Sequence, residues 1–461
     1  MKLPKTLHQI AEKIDREGGR AILVGGAVRD YLFGIENKDL DVEVFGLHYN
    51  QLISILKKYG KVSAVGKAFG VLKLSIDGDH FDFSLPRNDV KTGSGHRGFH
   101  ITTNPEMTFK EAASRRDFTL NAIGYDIMQG ELLDEFNGRH DLNQRVLRVV
   151  DPETFAEDPL RVLRGIQFAA RFRLSLLEET KTIFKELVDS LDELPRERIF
   201  KELKKLFLKS KHPSIGFSLA DETGINKKLF PELNALHKIT HNPHWYPPID
   251  AWTHTLRTID EASKQKYGDD FDDLSVMFAS LCLEFAKLNR SEFVDEKKWV
   301  GLNLDKCPTI TKCFMQRLTN EARLIETVDT LVQEYHSMDS LFKSSKVTNG
   351  DVRRLSLKVD IPLLVRVAQA DFYARFNTKD RPHIFPAGEW LIKRYHGLKL
   401  FSKRNLQPIL LGRHLIDLGL KPGPFFGKIL NNAYQKQLDD EFITLEDALN
   451  WARHEIEMIS N

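Results

Sequence analysis

The period of the apolar residues changes near Asp151, and that change limits what this chain can fold into. Upstream, over residues 21–150, apolar and polar residues alternate in short runs separated by turns, the period of half-buried strands. Ala21-Ile22-Leu23-Val24 reads as a strand ending in Gly25-Gly26, and Ala27 to Phe33 as a short helix closed by Gly34. Asp39 to Val44 alternates, and Gly70 to Ile76 and His80 to Leu85 read as strands around the turn Asp77-Gly78-Asp79. Segments near 121–127 and 145–150 are available to complete the sheet, and 87–106, rich in Gly, Thr, Asn and His, reads as a loop. From Phe155 onward, apolar residues recur at spacings of three and four, the period of helices. The expected class is an α+β head followed by an all-α remainder, with a plausible junction in 236–250.

Composition narrows the class without naming a partner. The 461 residues leave room for two to four domains at ~100–200 residues each. Hydrophobic residues make up 41% and charged residues 29%, a globular mix. Net charge is +2, so any nucleic-acid contact must come from local patches. Cys282, Cys307 and Cys313 form an odd set without CxxC spacing, which argues against a disulfide framework or a zinc site. The first residues form an amphipathic helix pattern without the apolar run of a signal peptide. No run reaches the ~20 apolar residues that span a bilayer. The expected compartment is the cytoplasm, with no membrane partner.

The sharpest local signal is Gly25-Gly26-Ala27-Val28-Arg29-Asp30 followed by Asp39-Leu40-Asp41. Residues two apart on a strand face the same way, so Asp39 and Asp41 present adjacent carboxylates. Like charges so close repel unless a cation sits between them. Magnesium suits the task, being hard and satisfied by carboxylates plus substrate phosphates. Asp82, in His80-Phe81-Asp82-Phe83-Ser84, is the candidate third ligand on a neighbouring strand. Glu43 shares the face of Asp39 and Asp41 but reads better as a solvated edge residue. Gly25 and Gly26 let backbone N–H groups approach phosphate. Together these parts describe nucleotidyl transfer on two metal ions.

These residues resemble a known family. GGAVRDYLFG followed by KDLDVEVFG looks like the head signature of class II tRNA nucleotidyltransferases and the related bacterial poly(A) polymerases. Ser114 to Ala122, SRRDFTLNA, resembles the family's ribose-selecting motif. Glu157-Asp158-Pro159-Leu160-Arg161 resembles its base-selecting motif, and Leu194 to Arg198, LPRER, its helix-stabilising segment near the neck. The resemblance implies a polymerase-β-like sheet with helices over residues 1–150 as catalytic head. It implies a helical neck for base selection over 151–212, a helical body over 213–375 and a tRNA-binding tail over 376–461. It implies magnesium on Asp39 and Asp41, with Asp82 where the family places its third acid. Arg29, Arg115, Arg116, Asp117 and Asn121 are then candidates for triphosphate and ribose contacts. Asp158 and Arg161 are read as three apart on one helical face, with Arg164 on the same face reaching phosphate.

The base-selecting role has its own chemistry. Cytosine and adenine both offer an amine donor beside a ring-nitrogen acceptor, and an Asp acceptor beside an Arg donor matches both. Uracil inverts that order and leaves two groups badly paired, at ~1–3 kcal/mol each. Protein side chains could therefore choose C and A without a nucleic-acid template.

Arg196 to Lys211 carries seven basic residues against two acidic on a helix pattern, resembling a surface that faces RNA backbone. Gly412 to Pro424 resembles the family's tail, which implies a grip on the acceptor–TΨC arm of tRNA. Trp252 to Lys287 looks like an HD phosphohydrolase domain in which Leu283-Glu284 replaces the His-Asp pair, so no phosphohydrolase activity is expected. His241, His244 and His254 then read as packing or hydrogen-bonding residues.

The leading expectation is an enzyme adding CCA, from CTP and ATP, to tRNA 3′ ends. A poly(A) polymerase is the alternative within the class, and Val65 to Val71, VGKAFGV, favours the tRNA enzymes. Specialists adding only CC or only A stay open. From other classes, a non-catalytic RNA-binding protein is opposed by the Asp39/Asp41 pair, and a nucleotide-sensing metal hydrolase by Leu283-Glu284.

Overall fold

The structure is a computed structural model of the chain. It describes all residues except 2, 38, 66–70, 77, 92–98, 241–248, 289–308, 377–380, 403–405 and 461, and omits side-chain surroundings at 65, 88–91, 99–101, 459 and 460. Most of the VGKAFGV stretch, His241, His244 and Cys307 therefore lie outside the described residues. The chain forms two compact units, Met1–Pro231 and Glu232–Asn461.

The first unit is built on a mixed seven-stranded sheet. Its strands are β1 (Arg20–Val24), β2 (Leu40–Phe45), β3 (Lys61–Val65), β4 (Val71–Ile76), β5 (Asp79–Ser84), β8 (Gly124–Asp126) and β9 (Leu132–Leu133). The order is β3-β4-β5-β2-β1-β8-β9. Pairing is antiparallel except between β2 and β5, which run parallel. The alternation seen in the sequence sets the two faces. Val42, Val44, Leu72, Leu74, Phe81 and Phe83 point to one face and are buried beneath α1 (Lys5–Arg16) and α3 (Tyr49–Leu56). Helix α1 presents Leu7, Ile10, Ala11 and Ile14 to that core, the three-and-four spacing that makes it helical. The intervening Asp41, Glu43, Lys73 and Asp82 are left on the other face.

Two local readings change. The segment after 85 is not simply a loop: β6 (Arg87–Lys91) and β7 (Phe99–Thr103) form an antiparallel pair. Val146–Leu147 does not join the main sheet but pairs in parallel with Ser175–Leu176. Both are short, two-stranded pairings that one-dimensional alternation cannot place.

Helices follow in the expected place. After α2 (Gly26–Leu32), α4 (Phe109–Ser114) and α5 (Gly138–Asn143) come α6 (Pro152–Ala156), α7 (Leu160–Phe172), α8 (Glu178–Glu186) and α9 (Arg196–Lys209). Phe118 anchors this region, with Phe155, Phe168 and Phe184 rings 5.5–6.5 Å away, mostly edge-on. Gly165 on α7 is required by that packing, since a Cβ there would come within 2.4 Å of Phe184.

The second unit is helical among its described residues. The helix Asp270–Cys282 is buried on nearly every face and forms its centre, beside Ala251–Ser263 and Ile361–Ala374. Asp250, Asp269 and Asp360 cap these three helices by accepting from backbone N–H groups. A separate cluster near the C-terminus joins Leu415, Ile429, Ala433 and Ala448. Among the described residues, no helix is long and apolar enough to cross a membrane.

Candidate active site

The polar face of the sheet forms one wall of the site. In the parallel ladder Asp41 on β2 lies directly opposite Asp82 on β5. One strand further, Lys73 on β4 stands opposite Asp82 and its Nζ is 3.1 Å from the Asp82 carboxylate. Two residues along β2, Glu43 is half-buried and bonded to Arg116 at 3.2 Å. The reading of Glu43 as a solvated edge residue is therefore corrected: β2 is interior to the sheet, with β1 and β5 on either side. Asp39 sits one residue before β2, where its N–H bonds the Asn37 side chain at 2.9 Å. Burial, and then the charges of Asp82 and Asp39, push the Asp41 carboxyl up, against the pull of Arg116 and Lys73.

Two cavities adjoin on this wall. One, of about 470 Å³, holds Asp41, Glu43, Asp82, Arg115, Arg116 and Arg161 among its lining. The other, of about 430 Å³, shares Asp41, Arg115, Arg116 and Arg161. It adds Gly25, Gly26, Asp117, Asp158, Arg164 and Arg198. Gly25 has φ +68°, a backbone region that L side chains rarely adopt. The chain thereby turns from β1 into α2 with nothing between it and the cavity.

Behind the cavities runs a chain of polar contacts. Arg164 donates from Nε and Nη2 to Asp117 at 2.8 and 2.7 Å, and Asn121 donates to the other Asp117 oxygen at 2.8 Å. Burial works against the Asp117 charge, but Arg164 and Asn121 outweigh it and hold the carboxyl below its ordinary range. Arg29 continues the chain, donating to Asn121 at 2.7 Å and to Asp30 at 2.6 and 2.8 Å. Its guanidinium lies over the Phe168 and Phe172 rings at 5.0 and 4.8 Å. Arg29 is thus deeply buried, and burial lowers its pKa. It also lines the second cavity, while holding Asn121.

Asp158 and Arg161 both face the second cavity, but not as neighbours on one helix. Asp158 lies before α7, between Ala156 and the N-cap Pro159. The proline disfavours helical backbone at the residue before it, which is the physical reason for the correction. The two side chains do not pair. Arg161 donates to the carbonyls of Thr154 and Arg115 at 2.7 and 3.0 Å. Asp158 is instead held by Arg198 of α9 at 2.9 Å. Lys73, Glu43 and Arg198 are site residues the sequence reading missed. The same-face rule already placed Glu43; strand pairing across the sheet and helix packing, which bring Lys73 and Arg198, leave no local signal.

In the second unit, His254, Glu284 and Asp371 bring ligand-type atoms within 4.8 Å of one another. His254 is buried, with Nδ1 3.2 Å from Glu284. Each carboxylate also has a cationic side chain: Lys287 is 2.6 Å from Glu284, and Arg375 bonds Asp371. Tyr335 donates to Asp371 at 2.5 Å. Asp371 is remote in sequence, which is why the HD-like reading did not include it.

Comparison with known proteins places this geometry. Residues 21–148 match the family model described as "Poly A polymerase head domain". Residues 173–236 match the one described as "Probable RNA and SrmB- binding site of polymerase A". These matches make the chain a nucleotidyltransferase. The curated "Multifunctional CCA protein" of Pasteurella multocida is 33% identical over 344 residues, 74% of this chain and 78% of that protein. The protein of the same name from Tolumonas auensis is 32% identical over 386 residues, 81% of this chain and 88% of its own. The match to the Mannheimia succiniciproducens protein is 36% identical but spans 62% of that protein's length. The chain belongs to the family of these CCA proteins. Its fold is shared with the Bacillus stearothermophilus CCA-adding enzyme solved with CTP, at TM-score 0.72, 20% identity, and coverage of 100% and 99% of the two chains. It is shared also with the Thermotoga maritima enzyme complexed with tRNA, at TM-score 0.61, 22% identity, and coverage of 99% and 96%.

Proposed function

We propose that this enzyme adds C, C and A to the 3′ ends of tRNA, taking CTP and ATP in turn and releasing pyrophosphate. The observation that carries the reading is one pair of adjoining cavities with Asp41 and Asp82 on one wall and Asp158 and Arg161 on another. Related proteins are named for CCA addition, and solved relatives hold CTP, ATP and tRNA.

Magnesium fits the donor set. The acids are hard oxygen ligands, and the raised Asp41 carboxyl beside Asp82 is the situation a dication relieves. Asp41 and Asp82 would hold the ions, with Asp39 at the mouth of the strand. When bound, magnesium lowers the pKa of the attacking 3′-hydroxyl and stabilises the leaving pyrophosphate. Arg115 and Arg116, which line both cavities, bind the triphosphate through guanidinium forks. Asp117 and Asn121, fixed by Arg164 and Arg29, orient the ribose. Asp158 accepts from the exocyclic amine of C or A, and Arg161 donates to the ring nitrogen. Gly25 and Gly26 let the backbone approach the phosphates.

In this reading residues 1–150 are the catalytic head, 151–212 the base-selecting neck, 213–375 the body and 376–461 the tail that holds tRNA. The basic residues of α9 meet RNA backbone. Cytoplasmic residence fits the buried free thiol of Cys282.

The test is incubation of tRNA lacking its 3′ terminus with labelled CTP and ATP, separately and together. Incorporation of C, C and then A is expected. A alone on unselected RNA makes the protein a poly(A) polymerase, and C alone or A alone a partial specialist. RNA binding without incorporation overturns the reading.

A further inference from the structure

The pair that reads the base has a difficulty of its own. Asp158 and Arg161 carry opposite charges three residues apart. Left alone, such groups close on one another as an ion pair and satisfy each other. A closed pair offers a base neither an acceptor nor a donor. The structure keeps it open. Arg161 is drawn back by the carbonyls of Thr154 and Arg115. Asp158 is held at one oxygen by Arg198 Nη2, 2.9 Å away, and at the other by the Leu160 N–H, 3.2 Å away. The terminal torsion of an aspartate is broad, so the carboxylate plane needs two anchors to be fixed. Here the anchors come from two helices, α7 and α9.

We propose that Arg198 is a specificity-determining positioning residue: it holds the Asp158 carboxylate apart from Arg161, so that both remain available to the incoming base. This rests on the reading of Asp158 and Arg161 as the base-selecting pair. A carboxylate accepts at about four sites, and two are taken by Arg198 and Leu160. The remaining ones serve the exocyclic amine. The guanidinium is suited to the task because it delivers a directed hydrogen bond with its charge, where an ammonium delivers a point charge. Arg198 lies in the first turn of α9, at the edge of the cavity, and needs no contact with the nucleotide.

The experiment measures kcat and KM for CTP, ATP and UTP on full-length Arg198→Ala, Arg198→Lys, Asp158→Ala and the double variant Arg198→Ala/Asp158→Ala. In Arg198→Ala, Asp158 falls onto Arg161. The preference for CTP over UTP is then expected to drop about tenfold or more, carried by KM rather than kcat. Arg198→Lys restores part of it. The decisive outcome is non-additivity: once Asp158 is gone, removing Arg198 costs no further discrimination. A variant Arg198→Ala that is less heat-stable but discriminates like the parent overturns the proposal, as do additive losses in the double variant. Should Arg198→Ala not fold, Arg198→Met and Arg198→Lys carry the same comparison. If Asp158→Ala itself discriminates normally, the base-selecting reading has failed; if it does not while the Arg198 variants do, only the role of Arg198 has failed.

Discussion

Asp41 and Asp82 are direct partners in the one parallel pairing of the main sheet, between β2 and β5. Parallel pairing brings two strands separated by most of 40 residues into one register, and both carboxylates emerge on the face that lines the cavity. Lys73 follows in the same row on β4. Its bridge to Asp82 is half exposed and so contributes little to folding. In the proposed reading this row is where magnesium is held, with a cationic side chain beside it.

Replacing Asp41 or Asp82 by Asn keeps the shape and removes the charge. Each is expected to cut nucleotide addition by about 10³-fold or more, equivalent to about 4 kcal/mol of lost transition-state stabilisation. Thermal stability should hold or rise slightly for Asp41→Asn, because its charge is disfavoured in the fold. Single-turnover rates at saturating magnesium, beside melting curves, check both halves. Undiminished turnover in both variants would remove the site from these residues.

Arg164 has a structural debt to Asp117. Removing it leaves a buried carboxylate whose hydrogen-bond partners, Asn121 and the Phe118 N–H, are neutral, with the charges of Arg161 and Arg29 acting only from farther off. Arg164→Ala is expected to lose about 3 kcal/mol of stability at neutral pH. Adding Asp117→Asn in that background should recover part of the loss, since no buried charge then remains uncompensated. Urea midpoints of the single and double variants decide this; a double variant weaker than Arg164→Ala contradicts it.

How far these features were legible depended on whether they were local. The strand carrying Asp41 was readable because alternation forces every second side chain to one face, and the same rule placed Glu43, though not its partner. The partner, Arg116, comes from 73 residues away and needs the tertiary fold. The three-residue spacing of Asp158 and Arg161 reads as one helical face, but the proline that follows Asp158 disfavours helical backbone there, and its steric demand prevails. Asp371 completes the His254 cluster from over 100 residues downstream, with no pattern linking it to Leu283-Glu284. Helices were easier throughout, because their apolar period repeats over many residues.

Gly25 and Gly26 are adjacent yet unequal. Gly25 has φ +68°, and a Cβ there would lie 3.3 Å from Arg116 Nη1. Gly26 has ordinary backbone, and its Cβ would meet side-chain tips at 3.4 and 3.6 Å. Gly25→Ala carries ~1–2 kcal/mol of backbone strain and crowds a cavity-lining arginine. It should lower kcat/KM for CTP at least tenfold, and Gly26→Ala by clearly less. Steady-state kinetics on both variants test the ranking, and equal effects would show that backbone conformation is not what matters there.

The second unit carries an acid-sensitive element at Glu284. Burial opposes its ionisation, but the hydrogen bonds from His254 and Lys287 outweigh burial and hold the carboxyl at about 2, from an ordinary 4.5. A carboxyl held down in the fold stabilises it above its ordinary range, and that contribution is lost as pH falls from about 4.5 towards 2. The most it can contribute is about 3 kcal/mol. Glu284→Gln removes the titration while keeping the volume. At pH 7 this variant should be the less stable, because Lys287 and His254 lose a charged partner. Between pH 5 and pH 3 the parent should lose more stability than the variant, and the two should converge. Hydrogen exchange of the helices Ala251–Ser263 and Ile361–Ala374, followed across that range, reads the effect where it arises. Parallel losses in parent and variant would mean that the His254–Glu284–Lys287 contacts do not govern the acid response of this unit.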